Sequence, residues 1–279
     1  MMKQILFEGT ATALVTPFTK TGVDFAAFEK LLDFQLAGGV NAVVVLGTTG
    51  EPATMTAEEK EAVLRLAVQK LKGKIPIIVG AGSNCTAQAV ENAKEAERTG
   101  ADGLLVVTPY YNKCTKTGLA RHFKAIANAT SLPIIAYNVP SRTGVNILPE
   151  TAKELAKIDN IVAIKEASGN MAQITKLAHI ANDSLTIYSG DDGLTIPIMS
   201  VGGKGVISVA SNVVPKFVAS MTKAYLDGNV TLAKDMQLKL LPLVDALFSE
   251  VNPIPVKKAC ELVGIGKNTV RLPLTKATQ

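Results

Sequence analysis

The chain has 279 residues, a formal charge of +5 and 47 % hydrophobic residues, with 19 % charged residues and no Trp. That balance excludes a disordered chain and supplies enough core for one large α/β barrel or two ordinary domains. The 29 Lys and Arg are scattered among Asp and Glu without a basic run or an aromatic–basic stripe, so nucleic acid is not an expected partner.

Short β-branched runs alternate with amphipathic segments along most of the chain. The candidate strands are Thr12–Val15, Ala42–Leu46, Ile77–Gly80, Gly103–Thr108, Ile134–Asn138, Ile161–Lys165, Thr186–Ser189 and Gly205–Ser208. Most are apolar on both faces, as buried parallel strands are. Between them, Asp24 precedes a helix that ends at Gly38–Gly39, and Thr56 with Glu59 forms a capping box. Thr86 opens a helix that ends at Gly100. Eight βα units in succession predict a (β/α)8 TIM barrel, and no G-x-G-x-x-G or P-loop supports a doubly wound sheet instead. The barrel is expected over residues 1–228, with its strands and helices between Phe7 and Gly228. Residues 229–279 are expected to form a small C-terminal helical appendage packed on the barrel, with helices over Ala233–Phe248 and Pro255–Leu262.

No apolar run reaches membrane-spanning length, and Met1–Gly9 lacks the apolar centre of a signal peptide. A cytoplasmic protein that does not engage a membrane is therefore expected. Cys85, Cys114 and Cys260, with His122 and His179, are too scattered for a disulfide framework or a metal cluster. Neither a metal nor a cofactor is expected.

In such a barrel the reacting groups sit at the C-terminal ends of strands and in the loops that follow. That rule selects Thr48 and Thr49, Tyr110 and Tyr111, Tyr137 with Arg142, Lys165 with Glu166, Gly190 with Asp191 and Asp192, and Ile207–Ser208. A lysine ending an apolar strand is either a desolvated amine able to attack a ketone or a rim residue paired with an acid. Gly47-Thr-Thr-Gly-Glu51 is either a carboxylate-sized anion site or an ordinary βα turn. Tyr137 and Tyr111 are proton relays or packed phenols. Arg142 is a carboxylate clamp or a surface cation. Asp191 and Asp192 suggest a metal site or helix N-caps, and with no other acid or His spaced to join them they read as N-caps.

Together, Gly47-Thr-Thr-Gly-Glu51, Pro109-Tyr-Tyr-Asn112, Tyr137-Asn-Val-Pro-Ser-Arg-Thr-Gly144 and Ile164-Lys-Glu-Ala-Ser-Gly169 narrow these alternatives. The set resembles the pyruvate-dependent class I aldolase family that includes N-acetylneuraminate lyase and dihydrodipicolinate synthase. The likeness runs from Gly9-Thr-Ala-Thr-Ala-Leu-Val-Thr-Pro-Phe18 to Arg271-Leu-Pro-Leu274 and is nearest to the synthase branch. The resemblance implies that Lys165 forms a Schiff base with pyruvate and that Thr48 and Thr49 hold the pyruvate carboxylate. Thr49, Tyr137 and Tyr111 would form a proton relay, and Gly190 and Ile207 would shape the site through their backbones. Arg142 would grip the carboxylate of aspartate semialdehyde; the sugar-lyase branch has no arginine in that loop. A related aldolase acting on another aldehyde or sugar acid is the alternative.

The family's Tyr111 equivalent reaches into a neighbouring subunit. The resemblance therefore implies a homo-oligomer, with a dimer as the smallest complete unit and a dimer of dimers as the assembly. Two departures stand out. Where lysine-inhibited relatives carry a Glu and His residues in an interface pocket, this chain has Gln88, Ala57 and Lys60, while Asn84 and Tyr110 are kept. Weak or absent inhibition by lysine is expected. The sequence also stops soon after Leu274, where family members usually continue into one more helix.

Overall fold

The computed structural model describes residues 3–181 and 184–278. Its strands are β1 (Gly9–Ala13), β2 (Ala42–Val45), β3 (Ile77–Gly80), β4 (Gly103–Val107), β5 (Ile134–Asn138), β6 (Ile161–Glu166), β7 (Thr186–Ser189) and β8 (Gly205–Ser208). All pair in parallel and in chain order, and β8 pairs back onto β1, so the sheet closes into the expected (β/α)8 barrel. Closure removes every sheet edge. At the seam a Cβ on Gly205 would lie 1.9 Å from the Gly9 carbonyl oxygen, so only a glycine lets these two backbones meet.

The crossovers carry α1 (Phe25–Ala37), α2 (Ala57–Leu71), α3 (Thr86–Thr99) and α4 (Lys116–Ala127). A one-turn α5 (Pro140–Thr143) and α6 (Pro149–Leu155) follow β5, and α7 (Met171–Ala181), α8 (Thr195–Ser200) and α9 (Pro215–Leu226) follow the later strands. Beyond them lie α10 (Val230–Leu247), which packs on α8 and α9, and α11 (Ile254–Leu262). Local chemistry sets the helix ends. The Asp24 carboxylate accepts from the Ala27 amide at 3.0 Å, both bonds of the Thr56/Glu59 capping box form, and Gly100 closes α3 with a φ of 101°. Among the described residues no helix is long and apolar enough to cross a membrane.

Strand alternation divides the core in two. Val43, Val45, Ile77, Val79, Leu104 and Val106 face the helices, whereas Val44, Ile78, Leu105, Ile135 and Tyr188 fill the barrel interior. The first strand starts three residues earlier than the apolar pattern suggests, at Gly9 rather than Thr12. Its threonines mask it. Thr10 and Thr12 point at helices and hydrogen-bond Thr222 (2.9 Å) and Gln35 (2.6 Å), so polar residues stand where hydrophobic ones are expected.

Candidate active site

Lys165 stands at the end of β6, and a β-bulge decides which way it faces. Ile161 pairs with Ile134 but Ala163 pairs with Ile135, so Val162 is an extra residue on β6. Ile161 and Ile164 therefore face the helices while Val162 and Ala163 face the interior, and the next inward position is Lys165. Without the bulge Ile161 and Lys165 would share a face. The lysine is 5 % exposed, with its Nζ 4.3 Å from the centre of the Tyr137 ring on the adjacent strand.

Burial lowers the Lys165 pKa to about 8; the nearby Asp192 carboxylate opposes the shift, and the Arg142 charge adds to it. The Tyr137 phenol is pushed up to about 12 by burial, with Arg142 and the Thr48 hydroxyl acting the other way, so it stays protonated at neutral pH. Below the lysine, the Tyr188 ring stacks on Phe7 at 4.2 Å and its hydroxyl donates to the Phe7 carbonyl at 2.7 Å, which plugs the barrel floor. Beside it, a Cβ on Gly190 would come within 2.9 Å of Lys165 Cε and 2.8 Å of Ala167 Cβ. A glycine is what leaves the lysine stem its channel.

The two aspartates after β7 divide their work. Asp191 caps the short turn that follows, accepting from the Gly193 amide at 2.8 Å, as expected. Asp192, also expected to cap, is instead the first residue of that turn and turns its carboxylate toward β8. It is buried and accepts from the Ser208 hydroxyl (2.5 Å) and the Val209 (2.8 Å) and Ala210 (3.1 Å) amides across β8. Glu166 is likewise buried, held by Asn138 Nδ2 (3.0 Å) and the Ser168 amide (2.8 Å), and it braces the loop after β6. Burial raises the pKa of both carboxyls against these hydrogen bonds.

After β2 the chain makes a tight 3₁₀ turn over Thr48–Gly50, entered from an extended Gly47 and left through Glu51 at φ 55°. The amides of Thr48 and Thr49 head this turn and lie outside its own i to i+3 hydrogen bonds. Glu51 anchors the turn from behind. It is 5 % exposed, pairs with Lys257 Nζ at 2.5 Å and accepts from the Arg271 amide at 3.1 Å. In front, Asn252 Nδ2 donates to Thr49 Oγ1 at 3.0 Å, and the Asn252 carbonyl accepts from Arg142 Nη2 at 3.0 Å. The loop between α10 and α11 thus ties two of the selected residues together.

A cavity of about 470 Å³ opens over Lys165 at the C-terminal end of the barrel, lined by Thr48, Thr49, Tyr137, Arg142, Gly190 and Asn252 among others. It shares Thr48, Tyr137, Arg142 and Asn252 with an adjoining cleft of about 720 Å³ toward α2 and α3. Of the residues given roles by the resemblance, two lie outside the first cavity. Ile207 sits lower, in the interior apolar cluster, and Val209 is the β8-end residue that lines the space. Tyr111 is 92 % exposed at a φ of 68° and does not line the cavity over Lys165. The sequence does not reveal Asn252 or the anchoring role of Glu51, because their partners lie 203 and 206 residues away, nor the role of Asp192, whose partners lie on the next strand and its loop. Among the described residues no group of His, Cys, Asp and Glu is placed to hold a metal ion. The concave space, the partly neutral amine and the clustered hydroxyls suit covalent capture of a small keto acid.

The dihydrodipicolinate synthetase family model matches residues 6–279. The 4-hydroxy-tetrahydrodipicolinate synthase of Alkaliphilus oremlandii is 56 % identical over 270 residues, covering 97 % of this chain and 93 % of that protein. Among solved structures, dihydrodipicolinate synthase from Thermotoga maritima superposes with a TM-score of 0.97 at 46 % identity, over 99 % of this chain and 95 % of that one. The chloride-inhibited enzyme from Acinetobacter baumannii, complexed with pyruvate, gives a TM-score of 0.95 at 42 % identity, over 98 % and 94 % of the two chains. A barrel with a buried lysine at the end of its sixth strand, matched along almost its whole length, places the chain plainly: it belongs to the dihydrodipicolinate synthetase family.

Proposed function

We propose that this protein is a Schiff-base-forming lyase that condenses pyruvate with L-aspartate 4-semialdehyde to 4-hydroxy-tetrahydrodipicolinate, a step toward diaminopimelate and lysine. The observation that carries this reading is Lys165, buried at the barrel mouth with a pKa lowered to about 8. Its neutral amine attacks the pyruvate carbonyl, water leaves, and the resulting iminium withdraws electrons from the adjacent methyl. Loss of a methyl proton gives the enamine, which adds to the aldehyde carbon. The amino group of the second substrate then attacks the imine carbon, closes the ring and releases Lys165.

Thr48 and Thr49 are assigned the pyruvate carboxylate, supported by the amides at the head of their turn, which its own hydrogen bonds leave unused. The protonated Tyr137 phenol and the Thr49 hydroxyl are assigned to proton relay. The exposure of Tyr111 supports a role in the site of a second copy of the chain, and hence a dimer as the smallest complete unit within a dimer of dimers. Gly190 and Ile207 act through their backbones, and a cytoplasmic location fits the reading. Residues 229–279 are proposed to form a C-terminal helical region packed on the barrel, with Asn252 and Lys257 as its links to the barrel loops.

Incubation with pyruvate followed by borohydride should leave a reduced adduct on Lys165, read by peptide mass. Absence of the adduct overturns the reading. Arg142 is assigned the carboxylate of the aldehyde substrate. An Arg142→Ala enzyme should lose about 10- to 100-fold in kcat/KM for aspartate semialdehyde while still trapping pyruvate. Unchanged aldehyde kinetics would contradict the assignment.

Weak inhibition by lysine is proposed as well. Ala57, Lys60, Gln88 and Tyr110 line the larger cleft, and its acids Glu51, Glu61 and Glu95 are already paired with Lys257, Arg65 and Arg98. Such a wall offers a cationic effector an opposing ammonium and no free carboxylate among these residues. Steady-state assays should show less than half inhibition at 1 mM lysine, on the order of the weak end of metabolite affinities.

A further inference from the structure

The loop between α10 and α11 brings one residue to the site that the reaction as described leaves unused. Asn252 is 7 % exposed and lines both cavities, and its two linked hydrogen bonds set its position tightly. Its Nδ2 donates one hydrogen to Thr49 Oγ1 and its backbone carbonyl accepts from Arg142 Nη2, each at 3.0 Å. Its side-chain Oδ1, though buried, has no hydrogen-bond partner among the described residues. A buried amide oxygen without a donor is costly, and its place is explained if a ligand supplies the donor.

The proposed substrates differ in what they can donate. Pyruvate carries a carboxylate, a carbonyl and a methyl group, none of them a hydrogen-bond donor. The amino aldehyde carries an α-ammonium on the same carbon as its carboxylate. When that carboxylate lies on Arg142, the ammonium is held beside it. Arg142 is bonded to the Asn252 backbone, so the amide oxygen is fixed relative to the guanidinium that receives the carboxylate. We infer that Asn252 reads the α-ammonium of the amino aldehyde through Oδ1, so that Arg142 and Asn252 together recognise the amino-acid end of the second substrate. This rests on the aldolase reading above and adds to it a residue that selects an amino aldehyde over its des-amino counterpart. Asp191 and Asp245 also line the cavity, but Asp191 is engaged with the Gly193 amide and Asp245 is exposed at the rim.

Succinate semialdehyde supplies the test, since it has the aldehyde, chain length and carboxylate of aspartate semialdehyde and lacks only the ammonium. The measured quantity is the ratio of the KM for aspartate semialdehyde to the competitive Ki for succinate semialdehyde. A disturbed Thr49 or Arg142 weakens both aldehydes and leaves that ratio in place; loss of an ammonium contact moves it. In Asn252→Ala the ratio should rise about 10- to 100-fold, the scale of one lost hydrogen bond to a charged group. Asn252→Ser, which keeps a hydroxyl near Thr49, should show the same shift and serves if the alanine variant does not fold. An unmoved ratio in the folded variant overturns the inference. A ratio that moves in Asp245→Asn but not in the Asn252 variants assigns the ammonium to the rim carboxylate and equally overturns it. Wild-type enzyme is treated with pyruvate and borohydride in parallel. If Lys165 is not trapped, the aldolase reading fails and takes this one with it; if it is trapped and the ratio stays, only the ammonium contact fails.

Discussion

Replacing Lys165 by methionine should abolish borohydride trapping of pyruvate and lower kcat by about 10³-fold or more, because no other amine among the residues lining the cavity can carry the imine. The same substitution should stabilise the fold below pH 8. Folding lowers the Lys165 pKa from the ordinary lysine value to about 8, so the buried ammonium is disfavoured. At pH 7 about one amine in ten is then neutral, against about one in three thousand at an unperturbed lysine. Below pH 8 both folded and unfolded chains carry the proton, and the folded state bears the whole cost. Between pH 8 and about 10.5 the unfolded chain binds more protons, so wild-type stability rises with pH; above that window the cost is gone. Methionine fills similar space without charge. The variant should therefore gain up to roughly 3 kcal/mol at pH 6–7, shrinking toward zero by about pH 10.5. Denaturant unfolding at several pH values checks this, and a variant with wild-type stability at pH 6 would argue that Lys165 is not desolvated. Catalytic need and stability are opposed at this residue.

Replacing Lys257 by alanine should cost about 3–5 kcal/mol, because it leaves the Glu51 carboxylate buried without its cation. Both side chains of the pair are only 2 % exposed. Lys257 also lies 4.1 Å over the Phe18 ring, which Arg271 covers at the same distance, so the aromatic loses one of two stacked cations. A melting temperature lower by roughly 5–15 °C follows for a chain of this size. The consequence should reach the site, since Glu51 holds the turn that carries Thr48 and Thr49. The KM for pyruvate should rise by about 10-fold, the scale of one misplaced charge-assisted contact. Pairing Lys257→Met with Glu51→Gln should recover much of the lost stability, because the uncompensated buried charge is gone. If the single variant melts with the wild type, the pair contributes nothing and the clamp on the turn is not electrostatic.

Much of the architecture is legible in local chemistry. The capping box at Thr56, the left-handed Gly100 and the apolar runs of β2 to β8 act over a few residues, and the structure follows them closely. The exception, β1, is hidden because its threonines find partners on α9 and α1, which local polarity does not foretell. The candidate site is legible to the same depth. Of the residues the strand-end rule selects, Thr48, Thr49, Tyr137, Arg142, Lys165, Gly190 and Asp191 line one cavity, while Tyr110, Tyr111, Glu166, Asp192, Ile207 and Ser208 do not. The rule does not reach Asn252, whose partner Thr49 lies 203 residues away, or the role of Glu51, whose partner Lys257 lies 206 residues away.

By itself, then, the sequence determined the alternation of strands and helices, and with it the barrel and the residues at its mouth. Those features follow from periodicity and turn chemistry within each βα unit. It placed a lysine at the end of the sixth strand, but β6 is apolar on both faces, so alternation leaves that lysine's direction undecided. Only strand pairing decides it. The extra residue Val162 in the β5–β6 ladder reverses the parity of β6 and turns Lys165 inward over Tyr188. Register is a property of two strands together. The lowered pKa depends on that inward turn, while the Asp192 contacts and the Asn252 link depend on barrel closure, since each joins groups that meet only once the strands and loops have come together.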